Sequence, residues 1–236
     1  GADGKDLAGA KMQILDKDGN VVEEWTTDGT PHILTAKLTA GEEYTLHEAA
    51  APAGYLVAAD KKFKVNADGT VTSVVMTDIA TKVEITKYDI TGDKELPGAK
   101  LEVRDLSGNV LESWTSTEKA HSITAKLSAG QTYVLHEAAA PDGYVVAEDA
   151  EFTVNSDATV TKVEMKDDTT KVEIHKLTEE KEPLSGAKMQ ILDSQKAVVD
   201  EWITDGKAHT LTAKLIAGAE SVSYTHLRAH ETAANL

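Results

Sequence analysis

The chain repeats itself about every 88–89 residues, and this repetition constrains its fold more than any other feature. The segment LAGAKMQILD begins at Leu7, LPGAKLEVRD begins at Leu96 and LSGAKMQILD begins at Leu184. Likewise, HEAAAPAGY at His47 returns as HEAAAPDGY at His136. A repeat of this length has the size of a domain and is longer than a solenoid repeat. The sequence therefore predicts a string of similar small domains.

The positions of the repeats divide the chain into four segments. We expect a unit without its first strand, a complete unit, a truncated unit and a tail of different origin, over residues 1–81, 82–170, 171–220 and 221–236. They are called here the first unit, the middle unit, the third unit and the tail. TKVEITK (81–87) returns as TKVEIHK (170–176), and neither junction is rich in proline or glycine. We therefore expect stiff, end-to-end packing of neighbouring units.

Short alternating segments indicate that each unit is built from β-strands. AKLEVRD (99–105) and KFKVNADGTVTSVVM (62–76) alternate apolar with polar residues, and the Asp68-Gly69 pair predicts a tight hairpin turn between strands. No segment has a sustained helical period. The expected fold class is all-β, with tandem antiparallel β-sandwich modules of about seven strands each.

Composition and charge argue against several classes of function. The formal net charge is −16 and the pI is about 4.9, which argues against nucleic acid or an anionic membrane as a partner. The chain has no cysteine, which excludes disulfides, thiolate metal sites and cysteine nucleophiles. No apolar run approaches the ~20 residues that a membrane-spanning helix needs, so no membrane insertion is expected. Because the chain starts with Gly1 rather than Met, we expect an internal fragment of a longer protein.

The tail departs from the repeat. After Gly218 the third unit should continue with a segment like YTLHEAAAP, but the chain reads AESVSYTHLRAHETAANL. Residues 221–232 match, in register, a translation of a transposase-type sequencing adapter. We therefore expect residues 221–236 to be a library artefact and leave them out of the fold prediction. His226 and His230 have the i, i+4 spacing of metal ligands, but in an adapter translation this spacing carries no chemistry.

Three strands of the middle unit carry an ionisable residue at the end of an apolar face. Because strand side chains alternate between two faces, Lys87 shares a face with the valine and the isoleucine of KVEITK. By the same alternation, Glu137 ends the apolar face of YVLHE and Asp167 ends that of VEMKD. One lysine and two carboxyls are therefore directed at the same interior.

Buried ionisable groups of this kind are expected to pair or to become neutral, because burying an isolated charge is costly. Burial lowers the pKa of an amine and raises that of a carboxyl. A neutral amine beside a neutral carboxylic acid is a nucleophile beside an electrophile, and a second protonated carboxyl can polarise the carbonyl and transfer protons. The residues alone leave three interpretations open: a Lys–Asp amide, a buried salt-bridge network without a bond, or strand ends in solvent. Asp168 is the nearest rival acceptor, but alternation turns it to the opposite face.

The other units hold only part of this set. The first unit repeats the two carboxyls as Glu48 and Asp78, but the position of its lysine would precede Gly1. The third unit repeats the lysine as Lys176 and stops before either carboxyl. Only the middle unit therefore holds the complete set of one lysine and two carboxyls.

The combination of GAK(L/M), E-x-x-APxGY and a terminal VxMxD resembles the Cna-protein B-type domain, also called the SpaA-like, prealbumin-like domain, over residues 1–218. The resemblance implies a prealbumin-like, Ig-like Greek-key sandwich with an autocatalytic intramolecular isopeptide bond. By motif position it implies Lys87 as the nucleophile, Asp167 as its partner and Glu137 as the catalytic acid, with Glu48 as the equivalent acid of the first unit. Many members of the family use asparagine as the partner; aspartate implies that water is released.

The same resemblance implies where the protein acts. Such domains are tandem stalk modules of Gram-positive surface adhesins and pilins, so an extracellular, cell-wall-anchored location is expected. We expect a structural stalk or spacer rather than an enzyme, with the neighbouring repeats as partners and a sortase anchor outside this sequence. The alternative is an adhesive module that recognises a host protein or glycan.

Neither a cofactor nor a metal is expected. DKDGN (16–20) begins like a calcium loop, but its glycine comes too early for the EF-hand pattern. A turn is predicted there.

Overall fold

Strands and turns make up the part of the chain that the computed structural model describes, residues 4–34, 36–92, 94–212 and 215–226, and no helix occurs in it. The strands of the first unit are β1 (Ala8–Leu15), β2 (Val21–Asp28), β3 (Glu43–Ala50), β4 (Tyr55–Leu56), β5 (Lys61–Lys64) and β6 (Ile79–Ala80). Those of the middle unit are β7 (Lys82–Asp89), β8 (Lys100–Arg104), β9 (Val110–Thr115), β10 (His121–Thr124), β11 (Thr132–Ala139), β12 (Ala150–Thr153) and β13 (Thr161–Asp167). The third unit has β14 (Lys171–Ile174), β15 (Ser185–Leu192), β16 (Val198–Asp205) and β17 (His209–Thr212), and β18 (Val222–His226) lies in the tail.

The middle unit is a sandwich of two sheets. The larger sheet has the strand order β12-β11-β8-β9 and the smaller one has the order β10-β7-β13. Every second side chain of β13 is buried, as are alternate side chains of β7. These side chains meet those of β8 and β11 in one apolar core, as expected for strands whose inner faces pack together. The prediction of an all-β sandwich with about seven strands is confirmed.

One strand pair of the middle unit differs from the predicted antiparallel arrangement. β7 and β13, its first and last strands, pair in parallel, with Met165 opposite Lys87 and Asp167 opposite Asp89. A parallel pair needs a long crossover connection, and here the rest of the unit supplies it. Both strands therefore end on the same side of the sandwich, and the side chains of their last residues lie close together.

The first unit has the larger sheet, in the order β2-β1-β3-β5, but its described residues do not form the smaller one. Residues 32–34 match β10 in the repeat and residues 72–78 match β13, yet neither segment is a strand. Gly69 makes the predicted turn with a φ of 77°, but no hairpin strand follows it. Both segments correspond to strands that pair with β7 in the middle unit.

In the third unit, β14 pairs with β17, while β15 lies between β16 and β18. Thr225 of β18 lies opposite Met189, where the first unit has Glu48 opposite Met12. Unpaired backbone groups at a strand edge accept an extended segment whatever its origin. The strand assignment therefore does not test the adapter origin of the tail, which stays a prediction.

A threonine joins neighbouring units at each junction. The Oγ1 atom of Thr81, which is buried, lies 3.0 Å from the carbonyl oxygen of Gly54 and 2.7 Å from that of Leu127. The Thr81 backbone also accepts a hydrogen bond from the Ala125 N–H, at 3.1 Å. The next junction repeats the hydroxyl contacts between Thr170 and the carbonyl oxygens of Gly143 (3.2 Å) and Leu215 (2.8 Å). The threonine that precedes the first strand of each following unit is thus hydrogen-bonded to both units.

Candidate functional site

Lys87 is a buried lysine near the end of the first strand of the middle unit. Its side chain is only 2% exposed, and its Nζ atom lies 3.0 Å from Oε1 of Glu137 and in direct contact with Oδ1 of Asp167. Its backbone is also fixed, because the Lys87 N–H donates to the Glu95 carboxylate at 3.0 Å and its carbonyl accepts from the Leu96 N–H at 2.6 Å. The alternation of KVEITK therefore does direct this lysine inward.

Glu137 reaches the lysine from the opposite sheet. It lies on β11, where alternation buries Tyr133, Leu135 and Glu137 in turn, and it is 1% exposed. Its Oε2 atom accepts a hydrogen bond from the Ala147 N–H at 2.6 Å, which fixes the plane of the carboxyl group. Its other oxygen is the one beside Lys87, so the side chain bridges the two sheets of the sandwich.

Asp167 is the last residue of β13 and is fully buried. Its pKa is raised to about 7, chiefly by burial; the hydrogen bond from Lys87 lowers the pKa, and the neighbouring Glu137 carboxyl adds to the rise. Its Oδ2 atom has no hydrogen-bond partner among the described residues. Near neutral pH this carboxyl therefore exchanges between its acid and carboxylate forms while it is in contact with an amine.

The first unit holds the same carboxyl pair without a lysine at the equivalent position. Glu48 is 1% exposed and Asp78 is 6% exposed. Oε2 of Glu48 accepts from the Ala58 N–H at 2.6 Å, as Glu137 does from Ala147. Burial raises the pKa of both carboxyls, and the proximity of Asp78 adds to the rise for Glu48.

Among the described residues, no counterpart of Glu137 or Asp167 accompanies Lys176 of the third unit. It follows β14 and is partly exposed, and its carbonyl accepts from the Leu184 N–H at 2.9 Å, as that of Lys87 does from Leu96. The position that matches Glu48 is Thr225. The structure therefore brings together one of the predicted sets, Lys87, Glu137 and Asp167, and leaves Lys176 apart.

Several supporting residues were not found from the sequence. Glu95 and the N–H groups of Ala58 and Ala147 orient the site, but an irregular segment gives no periodic signal for them. Each unit also stacks a tryptophan on a histidine seven positions later, for example Trp114 on His121 with ring centroids 4.1 Å apart. The recurrence of this spacing in all three units was a signal that could have revealed the pair.

Other candidate sites have simple structural explanations or lie outside the description. The Asp16 carboxylate accepts from the backbone N–H groups of Asp18 and Asn20, both at 2.9 Å, so DKDGN forms a turn. Among the residues that the structure describes, no group of His, Asp and Glu side chains is arranged to hold a metal ion. The His226 side chain and His230 lie outside the described residues. The described part also contains no helix with the length and apolar character to cross a membrane.

The middle unit is thus an all-β sandwich whose parallel first and last strands bring a buried lysine and a buried carboxyl into contact. The chain belongs to the SpaA prealbumin-like fold domain family, whose sequence profile matches residues 1–80 and 81–169. The resemblance read from the GAK, APxGY and VxMxD motifs is thereby confirmed. No curated protein matches the chain.

The solved structures that resemble the chain include the following bacterial proteins. The Bacillus anthracis TIE protein is 22% identical with a TM-score of 0.50, over 95% of this chain and 43% of its own; the present chain thus spans less than half of that protein. The shaft pilin SpaA from Lactobacillus rhamnosus GG is 17% identical (TM-score 0.35; 71% of this chain, 90% of that one). The Streptococcal ancillary pilin is 14% identical (TM-score 0.36; 82% and 73%). At these identities the likeness concerns the fold alone.

Proposed function

We propose that the chain is a segment of a surface stalk whose middle unit is closed by an amide bond between Lys87 and Asp167. The observation that carries this proposal is the buried cluster itself: an amine in contact with a carboxyl of raised pKa, with a second carboxyl 3.0 Å from the same nitrogen. A salt bridge alone gains little from complete burial, because desolvation offsets the attraction between the charges. The cluster is better explained as the reactants of a bond.

The chemistry needs only the three side chains. The Lys87 amine, in its neutral form, attacks the carboxyl carbon of Asp167, and Glu137 in its acid form donates a hydrogen bond to the carbonyl oxygen that gains charge. A C–N bond forms, and the C–O bond to the hydroxyl group breaks. The hydroxyl leaves with a proton from the amine, transferred through Glu137, as one molecule of water. Each chain reacts once, so the proposed role is structural and not that of a turnover enzyme.

The proposed bond would carry mechanical tension, so that most of the middle unit would not bear it. Residues 87 and 167 lie on the first and last strands, 80 positions apart in sequence, and the neighbouring units attach just outside them. Tension that enters along β7 would cross to β13 through the amide and leave toward β14. The intervening strands would stay folded because they bear no load, which is the property that a spacer needs.

The location and partners of the chain follow from the same proposal. Structures with this fold include Gram-positive pilins, and we place the chain outside the cell, on the surface of a Gram-positive bacterium and linked to its cell wall. The neighbouring repeats are its direct partners, and the hydrogen bonds of Thr81 and Thr170 support this part of the proposal.

Single-molecule pulling between the chain termini tests the stalk role. In wild type, residues between 87 and 167 are expected to contribute no extension. In Glu137→Ala, which removes the proposed acid, the middle unit should extend by a further 270 Å or so, because ~80 residues lengthen by about 3.3–3.6 Å each.

Glu48→Ala is the matched control for this pulling experiment, since it removes the equivalent glutamate from the first unit. Its middle unit should behave as in wild type. A wild-type chain that shows the long extension of the middle unit would contradict the proposal.

A further inference from the structure

The segment that follows the buried glutamate of each site folds back onto that glutamate. In the middle unit the Ala147 N–H donates to Oε2 of Glu137 at 2.6 Å, and in the first unit the Ala58 N–H donates to Oε2 of Glu48 at the same distance. Residues 138–147 are called here the acid loop. Because a backbone N–H of the loop holds the carboxyl group, the position of the proposed acid depends on the position of the loop.

The acid loop is also bound to the segment that follows Asp167. The Val145 N–H donates to the carbonyl oxygen of Asp168 at 2.9 Å, and Tyr144 forms an antiparallel bridge with Thr169. The two carboxyls of the site come from opposite sheets of the sandwich. The loop therefore connects the proposed acid to the strand end that carries the reacting carboxyl, and helps to fix the distance between them.

The tip of the acid loop contacts the junction with the third unit. The carbonyl oxygen of Gly143 accepts a hydrogen bond from the Thr170 N–H at 2.8 Å. The Thr170 hydroxyl lies 3.2 Å from the same oxygen and 2.8 Å from the carbonyl oxygen of Leu215. Leu215 belongs to the third unit and follows β17. A single hydroxyl group thus links the loop of one unit to the backbone of the next.

The joint between the first and middle units shows how closely such surfaces fit. Gly54 is the counterpart of Gly143, and the two have left-handed φ values of 85° and 86°. A Cβ atom on Gly54 would lie 2.3 Å from the carbonyl carbon of Ala125 and 2.4 Å from its oxygen, well inside the ~3.5–4.0 Å of van der Waals contact. Glycine is therefore required where the backbone of the following unit lies against the loop.

The placement of the proposed acid is demanding. Proton transfer needs heavy atoms within about 2.6–3.2 Å of each other, and a misplacement of about 1 Å can slow a reaction by about a hundred-fold. The third unit supplies the Leu215 carbonyl oxygen as a partner for the Thr170 hydroxyl. Without this contact, only the middle unit and the junction itself would hold the tip of the acid loop.

We propose that docking of the third unit on the acid loop positions Glu137, so that bond formation in the middle unit depends on the unit that follows it. This inference rests on the bond chemistry proposed above. In that step the Nζ atom of Lys87 bonds to the carboxyl carbon of Asp167, the C–O bond to the hydroxyl group breaks, and one water leaves. Gly143 and Thr170 are positioning residues that act through Glu137.

The test measures the rate of water loss, by mass, in full chains that refold from the unlinked state. Thr170→Val removes the hydroxyl that contacts the third unit, and Gly143→Ala adds a methyl group at the tip of the loop. Each is expected to slow bond formation by about ten- to a hundred-fold. Thr170→Ser keeps the hydroxyl and should react at nearly the wild-type rate. Gly54→Ala is the matched control at the other joint and should leave the rate unchanged.

Hydrogen exchange separates misplacement of the acid from failure to fold. The measurement is made in chains that carry Lys87→Ala and therefore cannot link. Adding Thr170→Val should speed the exchange of peptides that contain Ala147, because the loop is held less firmly, and should leave peptides from β8 unchanged. Equally faster exchange in β8 would mean that the variant has lost its fold, and the inference would be overturned.

The outcomes distinguish this inference from the proposed function. Wild-type rates in both Thr170→Val and Gly143→Ala would overturn the inference and leave the proposed function in place. Equal slowing in Gly54→Ala would also overturn it, because the effect would not depend on the following unit. A wild-type chain that never loses water would refute the proposed function, and this inference with it.

Discussion

Replacing Glu137 with alanine is expected to speed hydrogen exchange of the core amides of the middle unit by about a thousand-fold. Without the proposed acid no amide forms, and the unfolded chain regains the entropy of an open loop of about 80 residues, a difference of roughly 4–5 kcal/mol in the free energy of unfolding by analogy with disulfides. Each 1.36 kcal/mol is about a factor of ten in an equilibrium constant. Mass spectrometry of peptides from β8 and β11 measures this exchange, which at these buried strands requires global opening.

The matched variant Glu48→Ala removes the equivalent glutamate from the first unit and should leave exchange in the middle unit unchanged. Glu137→Gln, which keeps the shape of the side chain, should behave like Glu137→Ala and so separates loss of the acid from loss of packing. Unchanged exchange in both Glu137 variants would mean that no covalent link depends on this residue.

Bond formation is expected to slow by about fifty-fold between pH 7 and pH 9. The reactive form needs both carboxyls protonated, Asp167 because it loses its hydroxyl group and Glu137 because it donates a hydrogen bond, while the amine is neutral. The pKa of Asp167 is raised to about 7. Above this pKa the population of the reactive form falls about tenfold for each pH unit.

The same shift predicts how the unlinked fold responds to pH. The folded pKa of about 7 lies above the ordinary value of 3.8, so folding takes up a proton between these limits. The contribution of Asp167 to the stability of the unlinked chain is therefore full below about pH 4 and is lost as pH rises through 7. In the linked chain Asp167 is an amide and this dependence disappears.

Refolding from urea measures the rate of bond formation. Chain recovered unfolded, and shown by its mass to be unlinked, is diluted into buffers of different pH, and samples are quenched in acid for mass determination. A rate that rises between pH 7 and pH 9 would contradict the mechanism, because it would mean that amine deprotonation alone limits the reaction. Glu137→Ala should remain unlinked throughout the series.

Much of this arrangement could be predicted from the sequence because it depends on local periodicity. Alternation along KVEITK, YVLHE and VEMKD assigns the inward faces of β7, β11 and β13, and therefore the burial of Lys87, Glu137 and Asp167. The repeat identifies which of these residues each unit lacks. The alternation is visible within one short segment, and the repeat is visible when two segments are compared.

The parallel pairing of β7 with β13 could not be predicted in this way. The two strands are some 80 residues apart, and their pairing is decided by the packing of everything between them. The first unit also shows that a strand cannot be predicted from its own residues alone. Residues 72–78 have nearly the pattern of β13, yet they form no strand because strand formation depends on a partner and not only on the residues in the segment. The supporting contacts of Glu95 and Ala147 likewise arise from loop geometry.

The most direct test of the central claim is the mass of the wild-type chain, followed by the location of any cross-link after proteolysis. The account predicts a mass lower than that of the sequence by one water, and a branched peptide that joins the segment containing Lys87 to the segment containing Asp167. Lys87→Ala should restore the full mass, whereas Lys176→Ala should keep the deficit of one water. A wild-type chain with the full mass of its sequence, and with these two segments recovered as separate linear peptides, would contradict the account.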